Sequence, residues 1–315
     1  TVNAGSGTLS VGSSAANSFT LNTDANITLS GTASRLSGVQ TLTVSVGDKT
    51  ADLSGATLGF QDARTVSLSG GGSGSTVLLN DVSGSGNAMT MSMSGLAGGV
   101  SVDNLNNTSA SLTVAGETST GRFDVNEMTL TGPDAVTIST GTAGQYSAGT
   151  VEVGGNYTLD MSANTGGSAS LAINTFSSKG AAAISMGSGS GDVTLTSIKS
   201  QSTFTLDGAN FGGTIDLGTI TAAGNMTVSM GSEGHFSAST IGTFGSLTVD
   251  GANSTTGQLT LQAVTAVGNV TVSMGTGSGG IVMADTTTGG NFTIDASNFG
   301  GSIDVSAVTA SVAAV

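Results

Sequence analysis

Short segments in which apolar residues alternate with small polar residues recur along the whole chain. In residues 226–230, for example, Met226, Val228 and Met230 fall on one face of an extended strand, and the intervening threonine and serine fall on the other. Glycine, asparagine and serine separate these segments, as expected where the chain turns. No stretch carries a sustained helical period, so the pattern predicts an all-β protein.

The segments return at a regular spacing, which is clearest in the C-terminal half. Units begin near residues 155, 180, 202, 224, 245, 268 and 290. The N-terminal half carries the same spacing with more drift, and residues 115–154 are a local irregularity without a linker-like composition. A fixed period of 20 to 50 residues is the mark of a repeat architecture, in which each unit is one small structural module.

A single unit cannot bury its own apolar face, but stacked units bury a shared core. We therefore predict a parallel β-solenoid (β-helix) of roughly 13–14 rungs of ~22 residues. The solenoid is predicted to run continuously through residues 1–315, less regular in 1–154 and most regular in 155–315. A third apolar position, such as Ile220, Val264 or Val308, should close the core of each rung.

Composition narrows the classes of function. Six Lys and Arg face 20 Asp and Glu, so the formal net charge is −14, which disfavours binding to a nucleic-acid backbone. There is no cysteine, which excludes disulfides and thiolate zinc sites. No segment reaches the roughly 18 consecutive apolar residues that would predict a membrane-spanning helix.

The chain offers little for catalysis. His235 is the only histidine, and we expect it to be a solvent-facing residue at a rung corner or strand start. No nucleophile elbow is present, and the six cations are too scattered to join clustered carboxylates in a glycosidase-like groove. We therefore predict that the protein is not an enzyme and has no catalytic residues.

Oxygen ligands recur in register and suggest calcium as the one cofactor to consider. Each pair places an aspartate three residues before an asparagine, and the six candidate ligands are Asp207, Asn210, Asp250, Asn253, Asp295 and Asn298. The pairs recur in every second rung, at about 10 Å if rungs are about 4.8 Å apart, which is too far for one ion to bridge two of them. Capping of turns by Asp and Asn side chains is the alternative interpretation.

Threonine forms the most regular outward feature. We expect these residues to share one position: Thr20, Thr43, Thr90, Thr113, Thr137, Thr158, Thr205, Thr227, Thr248, Thr271 and Thr293. An ice-binding face would need paired threonine columns, whereas the neighbouring column mixes Asn, Ser and Thr, so we interpret the ladder as strand-favouring residues. The same ladder creates N-glycosylation sequons at Asn156, Asn225, Asn269 and Asn291.

The repeated style of residues 224–229 (GNMTVS) and 290–295 (GNFTID) resembles that of prokaryotic surface-layer (S-layer) proteins and of the β-solenoid stalks of large secreted adhesins. The resemblance implies an extracellular, self-assembling structural protein that forms a cell-surface layer or filament. It implies copies of the chain as the partner and cell-envelope polysaccharide as a second one. The shaft of an adhesin is the alternative, and an ice-binding solenoid is a further one.

The C-terminal residues, Val312, Ala313, Ala314 and Val315, stop part-way into a rung without a capping helix. An uncapped rung presents unpaired backbone groups that template further stacking. We therefore expect either that the natural chain continues beyond this rung or that another copy stacks on it.

Overall fold

The computed structural model describes residues 2–4, 7–9, 18–29, 34–37, 39–60, 64–72, 74–84, 87–107, 111–118, 120–142, 144–167, 169–232 and 234–311. The residues 312–315, on which the expectation of an uncapped end rests, lie outside this range. The chain divides into two compact units, Thr1–Ala163 (unit 1) and Asn164–Val315 (unit 2). The continuity of one solenoid through residues 1–315 stays a prediction.

Every regular element in the described residues is a β-strand. The strands of unit 1 are β1 (Val2–Ala4), β2 (Gly7–Leu9), β3 (Ser18–Thr23), β4 (Ile27–Leu29), β5 (Ser34–Ser37), β6 (Thr41–Val46), β7 (Thr50–Leu53), β8 (Ala56–Phe60), β9 (Arg64–Ser69), β10 (Thr76–Gly84), β11 (Met89–Ser94), β12 (Gly99–Asn107), β13 (Leu112–Thr118), β14 (Arg122–Leu130), β15 (Val136–Thr140), β16 (Gln145–Val153) and β17 (Tyr157–Met161). The strands of unit 2 are β18 (Leu171–Ser178), β19 (Ala182–Met186), β20 (Asp192–Ser200), β21 (Phe204–Asp207), β22 (Thr214–Ala222), β23 (Met226–Ser229), β24 (His235–Thr243), β25 (Leu247–Gly251), β26 (Leu259–Ala266), β27 (Val270–Met274), β28 (Gly280–Thr288), β29 (Phe292–Asp295) and β30 (Ser302–Ala310).

Within each unit the strands pair in parallel with the corresponding strand of the next turn. In unit 1 the first sheet joins β1, β3, β6, β9, β11, β13, β15 and β17, and the second sheet contains β2, β4, β7, β10, β12, β14 and β16. Strand β5 pairs with β8, which in turn pairs with β10. In unit 2 the first sheet joins the odd-numbered strands β19 to β29, and the second sheet joins the even-numbered strands β18 to β30.

The predicted parallel β-solenoid is confirmed. Its strands make about 11 turns of roughly 23 residues, fewer than the 13–14 rungs expected from the sequence. In unit 1 the four turns from β9 to β16, and in unit 2 the six turns from β19 to β30, each combine a first-sheet strand with a second-sheet strand of eight or nine residues. The second-sheet strands before β9 are only three to five residues long, because the repeat has drifted there and fewer residues keep the alternation.

Each second-sheet strand of eight or nine residues, apart from the last strand β30, has two successive non-buried residues in its middle, which marks a bend there. In β20 the buried residues are Val193, Leu195, Ile198 and Ser200, so two exposed residues follow one another at the bend. The predicted third apolar position is therefore confirmed at Ile220 and Val264, which are buried. In the last described strand, β30, the corresponding Val308 is 39% exposed, because no described strand covers it.

The outward threonine column is real, but its register in unit 1 differs from the prediction. Thr41 pairs with Thr65, and Thr65 with Thr90, so these three residues share the column. Thr20 and Thr43, which were predicted in it, lie one outward position further along their strands and pair with each other. A shift of two residues leaves every side chain on the same face, so the apolar pattern cannot distinguish the two registers.

Three large aromatic side chains, Phe123, Tyr146 and Tyr157, are buried in the core of unit 1. The ring centroids of Phe123 and Tyr146 are 5.7 Å apart and tilted by 42°, which is a favourable aromatic geometry. Tyr146 and Tyr157 are both buried and their phenol groups interact with each other. Burial raises the pKa of both phenols well above the usual value, because the charged form is desolvated in the core.

Candidate functional site

The three predicted calcium-binding aspartates lie at or next to the last position of alternate first-sheet strands of unit 2, and each one caps a turn. Asp207 Oδ1 accepts a hydrogen bond from the N–H of Ala209 at 3.1 Å, and Asp250 and Asp295 accept the equivalent bonds at 3.0 and 3.2 Å. This is the Asx-turn geometry that was the alternative interpretation. We call these residues the Asx-turn aspartates. All three are exposed.

The three asparagines of the same turns play unequal parts. Asn253 Nδ2 donates to the backbone oxygen of Ala209 at 3.3 Å, which joins two turns that are 44 residues apart. Asn210 and Asn298 are exposed at the corresponding positions. Among the described residues, no group of three or more His, Asp or Glu side chains is placed to hold a metal ion. Calcium binding by the aspartate–asparagine pairs stays a prediction.

The Asx-turn aspartates lie in a column that alternates between serine and aspartate. Ser229 pairs with Asp207 on one side and with Asp250 on the other, and Ser273 separates Asp250 from Asp295 in the same way. Like charges directly opposite one another on a sheet are destabilising. The alternation therefore lets a column of carboxylates persist along the solenoid.

His235 occupies the position that was predicted for it. It is the first residue of β24, it is exposed, and its backbone pairs with Thr214. The preceding turn places Asp192 opposite Thr214, so the aspartate and the histidine are two turns apart in the same outward column.

At the opposite end of the second-sheet strands of unit 2, short corner segments carry the chain into the next first-sheet strand, and in the last four of them a glycine is followed by an asparagine or serine. Asn225 Oδ1 accepts the N–H of Ser246 at 3.0 Å, Ser246 Oγ accepts the N–H of Asn269 at 3.0 Å, and Asn269 Oδ1 accepts the N–H of Asn291 at 2.8 Å. We call this corner of unit 2 the Gly-Asn edge; it comprises residues 179–181, 201–203, 223–225, 244–246, 267–269 and 289–291. The sequon asparagines Asn225, Asn269 and Asn291 are thus members of a side-chain ladder.

Buried hydroxyl groups hold the Gly-Asn edge together from inside. Thr288 Oγ1 donates to the backbone oxygen of Gly268 at 2.6 Å and accepts the N–H of Gly290 at 3.2 Å. Thr243 makes the equivalent pair of contacts with Gly224 and Gly245. A buried hydroxyl that is satisfied in this way fixes the path of the corner in two successive turns.

The Gly-Asn edge carries the most exposed large apolar side chains of the described residues, beside an open groove. Phe244 is 76% exposed and Val267 is 58% exposed. The groove encloses about 240 Å³, and its lining includes Phe244, Val267, Gly242 and Lys199. Sequence reasoning missed this feature, although one signal was present: an apolar residue directly precedes the corner glycine at Phe244 and at Val267, where a turn is usually polar.

The charges of unit 2 are segregated to different corners. Its two lysines, Lys179 and Lys199, lie at or beside the Gly-Asn edge, where no described residue is acidic. The opposite corner, where first-sheet strands lead into second-sheet strands, is here called the Asp edge. Six of the seven described carboxylates of unit 2 lie at or next to the Asp edge: Asp192, Asp207, Asp216, Asp250, Asp295 and Asp304. The seventh, Asp285, lies at the bend of β28.

Comparisons with protein-family models, curated proteins and solved structures found no match to this chain. The similarity to surface-layer and adhesin proteins therefore remains one of composition and repeat style. Among the described residues, no helix has the length and apolar character needed to cross a membrane.

Proposed function

We propose that this chain is a non-enzymatic structural protein of the cell exterior, which assembles with copies of itself into a surface layer or filament. The observation that carries the proposal is the segregation of charge in unit 2. One corner holds both lysines and two exposed apolar side chains, and another holds most of the carboxylates. Two different, complementary surfaces on one molecule support a head-to-tail contact, which propagates into open assemblies when it does not close into a ring.

The net charge of −14 does not prevent this contact. At physiological ionic strength the Debye length is about 8 Å, so charges on distant parts of two copies are largely screened from each other. Charges that meet at the contact are screened much less, and their complementarity determines the orientation of association. Only 8% of residues are charged, so broad, nearly neutral surfaces are left for packing.

The purified chain should be examined by sedimentation velocity and electron microscopy over a range of protein and salt concentrations. We expect ordered assemblies at about 0.15 M salt, where the Debye length is about 8 Å, and weaker association at about 1 M, where it is about 3 Å. A chain that stays monomeric at about 0.15 M salt and high protein concentration would refute the proposal. Immunogold labelling of thin sections of source cells tests the location, and signal confined to the cell interior would contradict it.

A further inference from the structure

The groove at the Gly-Asn edge exists because one residue of an outward column has no side chain. The column runs through Lys199, Thr221, Gly242, Thr265 and Thr287, which pair in successive turns. Four of these residues carry long or branched side chains, and only Gly242 leaves a gap. Phe244 and Val267 stand beside the gap, and Lys199 is the only charged residue that lines the groove.

The fold does not require glycine at position 242. A Cβ atom added to Gly242 would have its nearest neighbour, Thr221 Cγ2, at 3.6 Å, which is an ordinary van der Waals distance. Gly245, three residues later, is different, because its added Cβ would lie 2.6 Å from the backbone nitrogen of Asn225. A strand interior favours threonine over glycine, so Gly242 weakens β24 without a steric reason. The gap is therefore better explained by what it admits than by the folding of the chain.

The exposed apolar side chains beside the gap are also costly to an isolated molecule. Phe244 is held in place by its backbone, whose N–H donates to the oxygen of Ala222 at 3.0 Å, while most of its ring faces water. Burying a phenylalanine ring in a contact is favourable relative to leaving it exposed to water. Aromatic side chains are enriched at protein interfaces, and the central ones pack into pockets of the partner.

We infer that this groove is the contact through which one copy of the chain receives the Asp edge of a second copy, with Lys199 facing a carboxylate of that edge. The inference rests on the proposed self-assembly and names its interface. The charge of Lys199 selects the Asp edge, and not a second Gly-Asn edge, as the surface that fits this groove. If two Gly-Asn edges met, the lysines of both copies would approach one another, whereas a lysine-bearing groove facing the Asp edge pairs opposite charges.

Four variants test the inference, all measured by sedimentation and electron microscopy on the full chain. Gly242→Thr fills the groove with the residue found on both sides of it in the column. Phe244→Ser removes the exposed aromatic ring, and Lys199→Glu reverses the charge at the groove. The fourth variant changes the six Asp-edge carboxylates to asparagine, which keeps a side-chain oxygen for each Asx turn and removes the described charges of that edge.

We expect each of the four variants to raise the protein concentration needed for assembly by about tenfold or more, as truncation of a central interface residue does. Ala263→Thr is the matched control, because it also adds a threonine to an outward column of the second sheet, between Thr240 and Asp285 at the bend. It should assemble like the unaltered chain. Circular dichroism and melting curves should show that all five variants are folded.

The outcomes separate the two proposals. A monomeric unaltered chain refutes the proposed function and the interface with it. If the unaltered chain assembles and the groove variants assemble equally well, the function stands and the interface is wrong. If the groove variants fail but the asparagine variant assembles normally, the groove is not occupied by the Asp edge and the inference is overturned.

Discussion

The close packing of the Gly-Asn edge makes a quantitative prediction about Gly245. In Gly245→Ala, the new methyl group would lie 2.6 Å from the nitrogen of Asn225 and 2.7 Å from the carbonyl carbon of Gly224, and would also meet Asn225 Oδ1. The first two atoms belong to the backbone, so the corner must shift as a whole. Inserting a methyl group into such a space costs about 1–3 kcal/mol.

The shift would also disturb the hydrogen bond from the N–H of Ser246 to Asn225 Oδ1, which measures 3.0 Å. Such a bond contributes about 0.5–1.5 kcal/mol. Together these effects predict that Gly245→Ala destabilises the edge by about 2–4 kcal/mol. Gly242→Ala is the matched control, because its added atom meets nothing closer than 3.6 Å. The control should be neutral or stabilise by about 0.4–1 kcal/mol, since alanine restricts the unfolded chain.

Amide hydrogen exchange is the appropriate assay, because a stacked-repeat protein can open locally without unfolding as a whole. The predicted loss corresponds to exchange at the Ser246 amide that is about 30 to 700 times faster in Gly245→Ala. The urea midpoint followed by circular dichroism should fall in the same variant. Equal exchange and equal midpoints in Gly245→Ala and Gly242→Ala would refute the reasoning, because the two glycines would then be sterically equivalent.

Three further predictions follow from the buried and capping groups. Thr288→Val removes a buried hydroxyl that bonds to two backbone groups, and it should lower the free energy of unfolding in urea by about 1–3 kcal/mol. Thr265→Val, on the exposed face, should change this free energy little. Equal effects of the two substitutions would contradict the role of the hydroxyl. The raised pKa of Tyr146 and Tyr157 means that the folded state holds its phenolic protons more tightly than the unfolded state does. The contribution of these protons to stability should be intact below about pH 10 and be lost as the pH rises further. Phenolate absorbance should therefore appear together with unfolding, and ionisation of both residues near pH 10 in the folded protein would contradict this. If the aspartate–asparagine pairs bind calcium, added calcium should raise the melting temperature, and changing the Asx-turn aspartates to asparagine should abolish that rise. An unchanged melting temperature after chelation would exclude the site.

The candidate site was only partly visible in the sequence. The Asx-turn aspartates were found because they recur at the same point of alternate units, and their turn-capping geometry is one of the two interpretations that the residue types allow. The groove was not found, because Gly242 and Phe244 look ordinary when read singly. Gly242 stands out only beside Thr221 and Thr265, which are its neighbours in adjacent turns and not along the chain.

The sequence by itself determined the class of the fold. Alternation with a period of two requires strands with one apolar face, and a return every 22 or 23 residues requires that these strands stack in parallel to bury it. It did not determine the register between turns, because a slip of two residues leaves the apolar face unchanged, as at Thr20 and Thr43. Only the tertiary structure decided on which edge each charged residue lies. Lys199 and Asp207 are close along the chain, but strand β21, which ends at Asp207, runs from the Gly-Asn edge to the Asp edge and so separates them.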